Sequence, residues 1–444
     1  MKRKIYDELL SWKKTSKGKT ALLIDGARRV GKSYIVEEFA KKEYKSYLLI
    51  DFSINRKAVL EIFNEDTHDL DVFFLKLQAL FGVELYHRES LIIFDEVQLF
   101  PKARQLIKHL VKDNRYDYIE TGSLLSLKRN VENILLPSEE RRIKMYPMDF
   151  EEFLWALGDK VTFDYIKKCF SELKPLGNSI HRKILNDFRL YMLVGGMPQA
   201  VKTYVETKNL SLVDQVKKDI IELYRNDISK FALGYENRVL SIFDSIPHQL
   251  GKENKRFTYA LVNENSRFRD YENAFMFLND AMITSSCYNT KDPNIGLNLT
   301  KDYNVQKLYM MDTGLLVSLA FRDKDFIDNK LYKSILLDKL GINEGMLMEN
   351  IVAQLLTTNK HNLFYYAKND KENRENHMEI DFLITDGSKL LPIEVKSSGN
   401  KHVSLNKFLN KFSKRTHKGY VLYPKDVNVK GNVIYLPLYM ASLL

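Results

Sequence analysis

The chain has 444 residues, 45% hydrophobic and 28% charged, with a net charge of +10, enough for two or three domains with cores of their own. No run approaches the ~20 apolar residues of a membrane helix, and MKRKIYDELLSWKK at the N-terminus lacks the apolar centre of a secretory signal. Cys169 and Cys287 lie far apart, which excludes a disulfide framework or a zinc pattern and points to a cytoplasmic protein.

The first stretch alternates strand and helix signals. TALLID (20–25) is a short apolar run that ends in a Gly-containing turn, and a helix follows from Lys32. YLLIDFS (47–53) reads as a strand, and DVFFLKLQALF (71–81) as a helix. SLIIFDEV (90–97) is a continuous apolar run, as expected of a strand buried on both faces. Pro101 opens a further helix, and YDYIETGS (116–123) is another strand and turn. Strands separated by helices predict an α/β fold with a parallel sheet and right-handed crossovers.

From Pro147 the pattern changes. PMDFEEFLWALG reads as a helix, and residues 160–250 are helical apart from VGGMPQAV, where Gly195, Gly196, Met197 and Pro198 predict a turn. Residues 251–320 mix basic turns, one short helix and hairpin-like segments. From about Leu331 the order reads helix (344–358), strand (NLFYYAK), strand (EIDFLITDG), strand (KLLPIEVKSS), helix (404–412), strand (GYVLYP). The expected domains are 1–158, 159–330 and 331–444.

Gly26-Ala27-Arg28-Arg29-Val30-Gly31-Lys32-Ser33 fits G-x-x-x-x-G-K-[ST]. Glycines let backbone N–H groups turn inward around phosphates, and the following helix adds its dipole. Lys32 is expected at the β and γ phosphates of ATP and the Ser33 hydroxyl on Mg²⁺. The run ending in Asp95 and Glu96 supplies the second element. Asp95 is expected to hold the magnesium, directly or through water, and Glu96 to polarise the attacking water. Thr121 and Ser123 end the next strand as candidates beside the γ-phosphate, a plain turn being the alternative. Gln98 has no assigned role.

GARRVGKS, LIIFDEVQ and ETGS, with PMDFEEFL and VGGMPQAV after them, resemble prokaryotic AAA-family ATPases of the group that carries an uncharacterised C-terminal region. The resemblance implies that an arginine from a neighbouring subunit or domain completes the site. Arg141 and Arg142 are the candidates, a solvated basic pair being the alternative. A homo-oligomer or a protein partner is a further expectation.

Residues 235–320 resemble a winged helix, with RFTYALVNENSRFRDYENAFMFLNDAMI as helix, turn and helix, and SSCYNTKDPN with KLYMMDTGL as the wing. Such modules can lay a helix in the major groove. Lys255, Arg256, Arg267 and Arg269 are the phosphate-contact candidates, while Asp270, Glu272 and Asp280 on the second helix oppose DNA. A packing role is the alternative.

In the last stretch Glu349 lies on a helix, Asp381 on a strand, and Glu394 and Lys396 two apart on the next strand, so the last two share a face. Carboxylates of this kind hold Mg²⁺ for phosphodiester hydrolysis and a lysine orients water. The order resembles the PD-(D/E)xK nuclease superfamily. The resemblance implies Glu349, Asp381, Glu394 and Lys396 as catalytic residues, with Asp381 and Glu394 on the metal. Lys407, Lys411, Lys414 and Arg415 would face the DNA or RNA backbone. The chain departs from the pattern in having Ile380, not proline, before Asp381. A cross-strand salt bridge by the Glu394/Lys396 pair, the fold without activity, or binding without cutting are the alternatives.

The sequence therefore predicts a P-loop ATPase domain, a helical and winged-helix middle and a small nuclease-like α/β domain. The function expected is ATP hydrolysis coupled to nucleic-acid binding or cleavage. The competing readings are a nucleotide switch with an inactive partner-binding C-terminus and a chaperone-like machine acting on protein.

Overall fold

The computed structural model describes residues 1–54, 57–123, 137–259, 267–322, 344–368, 377–397 and 403–444. They form two compact units, Met1–Tyr146 and Pro147–Leu444.

In the first unit, helix α1 (Ile5–Ser16) precedes β1 (Ala21–Gly26), α2 (Lys32–Glu43), β2 (Ser46–Asp51), α3 (Lys57–Glu65), α4 (Leu70–Phe81), β3 (Ser90–Asp95), α5 (Pro101–Asp113), β4 (Asp117–Gly122) and β5 (Glu140–Met145). The sheet order is β2-β3-β4-β1-β5 and every pairing is parallel. Every residue of β1, β3 and β4 is buried, which is why these segments are apolar runs without alternation. Pro101 sits in the first turn of α5, where its missing N–H leaves no bond unmade. One side of the sheet is filled by an aromatic group around Phe63. Its ring meets Phe52, Phe73, Phe94 and Phe100 edge-on at centroid distances of 5.6, 5.1, 5.6 and 5.8 Å, the arrangement that ring quadrupoles favour.

The second unit begins with helices α6 (Phe150–Ala156), α7 (Thr162–Glu172), α8 (Asn178–Val194), α9 (Pro198–Thr207), α10 (Leu210–Phe231), α11 (Glu236–Leu250) and α12 (Phe268–Asp280). Strands β6 (Thr284–Thr290) and β7 (Lys301–Met310) follow, then α13 (Thr313–Ala320), α14 (Glu344–Thr358), β8 (Phe364–Lys368), β9 (Met378–Asp386), β10 (Lys389–Val395), α15 (Val403–Lys411), β11 (Gly419–Tyr423), β12 (Asn428–Lys430) and β13 (Val433–Pro437). All eight strands form one mixed sheet, in the order β12-β13-β11-β10-β9-β8-β6-β7. Leu405, Phe408 and Leu409 of α15 close one face against Ile380, Leu383, Leu390, Val421 and Val433.

The sheet of the second unit draws strands from both the expected middle and the expected C-terminal part. The expected boundary at 330/331 lies outside the described residues. The β6–β7 hairpin, expected as the wing of a separate middle domain, pairs through Tyr288 and Asn289 with Phe364 and Tyr365 of β8. An edge strand left bare would expose a row of unpaired backbone groups, and the hairpin covers that edge of the C-terminal strands. Most of the first helix expected for the winged helix falls outside the described residues, and Arg256, Phe257 and Thr258 before it are not helical.

The VGGMPQAV turn joins α8 to α9 and is pinned from several directions. Gly196 accepts the Met148 N–H at 2.7 Å and donates its own N–H to the Asp312 carboxylate at 2.5 Å. A Cβ on Gly196 would lie 2.1 Å from the Met148 carbonyl oxygen, so no side chain fits there. The Asp312 carboxylate also caps α13 by accepting the Leu315 N–H at 2.9 Å. Buried Lys217 of α10 donates to the carbonyls of Leu193 (2.7 Å) and Gly314 (3.1 Å). Burial pulls the Lys217 ammonium down to about 8 against the opposing pull of Asp214 and Asp312.

Candidate functional site

In the first unit the loop from Gly26 to Ser33 lies between buried β1 and α2, where the motif requires it. Gly31 takes φ +94° and Arg29 φ +69°, the left-handed turns that aim successive N–H groups to one side. Lys32 is 5% exposed, and its ammonium donates to the carbonyls of Gly26 and Ala27 at 3.0 Å each. Burial lowers its proton affinity, while Glu96, Asp25 and Asp95 pull the other way. Ala27 and Val30 anchor the loop in the interior, whereas Arg28 and Arg29 are exposed.

Three side chains from three elements meet at the end of β3. The Ser33 hydroxyl donates to Asp95 Oδ1 at 3.0 Å, and the Thr121 hydroxyl from β4 donates to the same oxygen. The order β3-β4-β1 puts β4 between the loop strand and the acidic strand, so Thr121 arrives beside both. Burial raises the Asp95 carboxyl above its ordinary range, against the lowering effect of the Thr121 and Ser33 hydroxyls. A nearby divalent cation reverses that penalty. The donor set of a hydroxyl and a carboxylate, both hard oxygen ligands, fits Mg²⁺.

Glu96 follows in a left-handed conformation, φ +56° and ψ +45°, uncommon for a residue with a Cβ and frequent at functional sites. Its carboxylate is held by the Gln98 amide, whose oxygen accepts the Ser123 N–H at 3.4 Å. Gln98 thus ties the candidate base to the end of β4. Ser123 enters this network through its backbone.

Two further residues support the loop. Arg3 donates to the carbonyls of Val30 (2.9 Å) and Tyr146 (2.7 Å). Asp25, 3% exposed, is paired with Arg142 of β5. The Arg142 guanidinium thus meets an aspartate of its own chain. Arg141 is exposed on the same strand.

In the second unit Glu349 of α14 and Asp381 of β9 do come together, but around a lysine. Lys307 of β7 is 1% exposed, and its ammonium lies 3.1 Å from Glu349 Oε1, 3.1 Å from Glu379 Oε1 and 3.8 Å from Asp381 Oδ1. The Tyr309 hydroxyl also donates to Glu349 Oε1, and Lys255 pairs with Glu349 Oε2. Lys255, expected at a nucleic-acid phosphate, is thus paired within this cluster. Burial opposes the charge on Lys307, but Glu349, Asp381 and Glu379 outweigh it and hold the ammonium well above its ordinary range. Asp381 accepts the Val395 N–H at 2.8 Å. Burial and the neighbouring Glu349 push its carboxyl up to about 7, despite Lys307.

Glu394 and Lys396 do not join this group. The Lys396 ammonium lies 2.7 Å from Glu394 Oε1, so the salt bridge joins the two residues to each other and not across strands. Among the described residues no three His, Cys, Asp or Glu side chains form a group that could hold a metal ion. Two of the acids expected at a nuclease metal site, Glu349 and Asp381, thus face an ammonium, while Glu394 is paired with Lys396 through Oε1 and keeps its buried Oε2 without a hydrogen-bond partner. Arg415, expected on a nucleic-acid backbone, bonds to Asp292 (2.5 Å) and the Pro293 carbonyl (2.7 Å).

No helix among the described residues is long and apolar enough to cross a membrane. Residues 185–325 match the family described as domain of unknown function DUF8612, and residues 344–440 match that described as domain of unknown function DUF4143. No curated protein matches the chain. Among solved structures it is similar to a Walker-type ATPase of Pyrococcus abyssi, at 15% identity and a TM-score of 0.41, over 72% of this chain and 95% of that one. It is also similar to a STAND signal-transduction ATPase with a tetratricopeptide repeat sensor from Pyrococcus horikoshii, at 11% identity and a TM-score of 0.27, over 80% and 48%. Cdc6p from Pyrobaculum aerophilum gives 13% identity and a TM-score of 0.23, over 75% and 92%. Likenesses this distant decide nothing about this chain. The match of residues 18–154 to the AAA domain falls on the segment that holds the loop, Asp95, Glu96 and Thr121: the protein carries an AAA-type P-loop domain and is an ATPase.

Proposed function

We propose that the protein is a Mg²⁺-dependent ATPase whose nucleotide cycle controls binding of nucleic acid by its nuclease-like second unit, without cleavage. The observation that carries the first half is the meeting of Ser33, Asp95 and Thr121 beside a lysine bonded to loop carbonyls. Lys32 leaves those two neutral acceptors for the charged oxygens of the β and γ phosphates, and charge-assisted bonds are the stronger ones. Mg²⁺ held by Ser33 and Asp95 supplies charge stabilisation at the phosphate oxygens. The carboxylate of Glu96, set by its left-handed backbone and by Gln98, accepts the proton of the attacking water. Thr121 keeps Asp95 oriented.

The second half is supported by the net charge of +10 and by exposed Lys411 and Lys414 at the end of α15 and just beyond it. Phosphate contacts of this kind give salt-dependent, sequence-independent affinity.

The test is steady-state ATP hydrolysis with Mg²⁺ for the wild type, Lys32→Ala and Glu96→Gln. Anisotropy of labelled single- and double-stranded DNA and RNA at two salt concentrations, with and without ATP, runs beside it. Hydrolysis lost in both variants, with nucleic-acid affinity that changes with ATP, supports the reading. Hydrolysis that survives Glu96→Gln, or affinity indifferent to nucleotide and salt, defeats it.

A further inference from the structure

The apolar core under α15 ends at its rim in aromatic rings with cations over them. Tyr288 of β6 and Phe412 beyond α15 are partly buried against that core. Phe412 meets Phe408 and Tyr366 at centroid distances of 4.7 and 5.7 Å. Tyr288 meets Tyr303 of β7 at 6.1 Å. Tyr303 is 59% exposed, and β7 is the outermost strand, so no further strand shields it. The Lys301 ammonium stands 3.5 Å from the Tyr288 centroid and 4.5 Å from that of Tyr303. Lys411 and Arg415 approach the Phe412 ring at 5.5 and 5.8 Å, all within cation–π reach. Arg415 also bonds to Asp292 and the Pro293 carbonyl, which fastens the end of α15 to the loop between β6 and β7. The hairpin's two acids are matched, Asp292 by Arg415 and Asp302 by Lys291 at 3.4 Å. Among the described residues no carboxylate engages Lys301, Lys411 or Lys414.

We infer that this rim binds single-stranded nucleic acid, with a base on Tyr303 and backbone phosphates on Lys301, Lys411 and Lys414. An unpaired base offers its π face to an exposed tyrosine, whereas in a duplex that face is covered by the neighbouring pair. Cations beside the rings place charge for the phosphates next to the stacking surface. Neither contact reads sequence, since every base has a π face and every nucleotide a phosphate. An acidic polypeptide would use the lysines and leave the tyrosine idle. The inference rests on the nucleic-acid reading given above, to which it adds the strandedness of the ligand and the surface that takes it.

The test is anisotropy of labelled single strands of DNA and RNA and of the matching duplexes on the full chain, with Mg-ATP and without nucleotide. Single strands are expected to bind more tightly than their duplexes. Tyr303→Ala is expected to weaken the single strands by about 5–100-fold, the worth of one stacked base, and to leave the duplexes unchanged. Tyr303→Phe keeps the ring and is expected to restore the affinity. Lys411→Ala with Lys414→Ala is expected to flatten the log–log salt dependence by about 1.4, two phosphates of a single strand. Circular dichroism reports the fold of each variant. Single strands that bind no better than duplexes, or that ignore Tyr303→Ala, overturn the inference and leave nucleic-acid binding to another surface. Displacement by poly-glutamate as readily as by poly-dT, with Tyr303→Ala silent, assigns the lysines to an acidic polypeptide and also overturns it. No binding of any nucleic acid by the wild type at low salt, with or without ATP, sinks the underlying reading and this inference with it.

Discussion

Lys32 in the first unit and Lys307 in the second are both buried ammoniums at the centre of a group of acids, and they are opposites. Lys32 makes its bonds to two peptide carbonyls, and burial lowers its proton affinity. Lys307 makes its contacts to three carboxylates, which raise its proton affinity well past the penalty of burial. A lysine on neutral acceptors keeps its charge available for an incoming anion. A lysine on carboxylates has its charge already neutralised, because a buried ion pair offsets its desolvation only while both members stay in place.

The largest effects lie in the first group. Glu96→Gln is expected to leave Mg-ATP binding intact and to cut single-turnover hydrolysis by roughly 10²–10⁴-fold, the ordinary worth of a positioned general base. Lys32→Ala is expected to lose nucleotide binding itself, read by a fluorescent ATP analogue. Tight analogue binding by Lys32→Ala would show that this lysine, like Lys307, holds its own fold together and does not serve a ligand.

Stability is expected to show the reverse order. Lys307→Met leaves three acids around an empty place, and removing one member of a buried pair costs about 3–5 kcal/mol. Lys32→Met strands two neutral backbone carbonyls and no charge, and is expected to destabilise less. Chemical denaturation of the nucleotide-free chain, followed by far-UV circular dichroism, measures both. Equal losses would erase the distinction.

The two groups also differ in how far the sequence discloses them. The phosphate loop is legible because its demands are local: glycine where φ must be positive, lysine and hydroxyl one after another, an apolar strand before and a helix after. Asp95 and Glu96 are legible because a strand buried on both faces reads as an unbroken apolar run. Strand β5 is not, since ERRIKM buries only Ile143 and Met145 and reads as a basic pair. Arg3 gives no signal, because the carbonyl it holds is 27 residues away. In the second unit Glu349, Asp381, Glu394 and Lys396 are all visible as a pattern, but the lysine that Glu349 and Asp381 face is not. Lys307 lies in a segment that reads as the wing of another module, and only the long-range pairing of β6 to β8 brings β7 into the same sheet. The pairing of Lys255 is hidden for the same reason: its partner Glu349 is 94 residues on. Glycines 195 and 196 read correctly as a turn, while the tightness that excludes a side chain comes from Met148 and Asp312.

A smaller effect sharpens the contrast through pH. Asp381 in the folded unit holds its proton up to about 7, against an ordinary 3.8. The folded carboxyl binds the proton more tightly than the unfolded one, so its contribution is full below about pH 4 and is lost as pH rises through about 7. The melting temperature of the second unit is therefore expected to fall across that window, and Asp381→Asn, which cannot ionise, to flatten the fall. A slope unchanged by Asp381→Asn would mean that the Lys307 ammonium already compensates this carboxylate in full.

The finest test falls on Gln98, which joins Glu96 to the Ser123 amide. One hydrogen bond is worth about 0.5–1.5 kcal/mol net, so Gln98→Ala is expected to lower kcat by about 2–10-fold. KM should stay unchanged, since Gln98 bonds to the base and not to the lysine, hydroxyl and carboxylate that meet the nucleotide. Gln98→Glu places a second carboxylate against Glu96 and raises the proton affinity of the base, which should move the acid limb of the kcat–pH profile upward. A change in KM without one in kcat would instead place Gln98 in the nucleotide pocket. A shifted acid limb with KM constant would show that the left-handed backbone at Glu96 does not orient the base alone, and that the phosphate site, like the Lys307 cluster, relies on a side chain outside its motif.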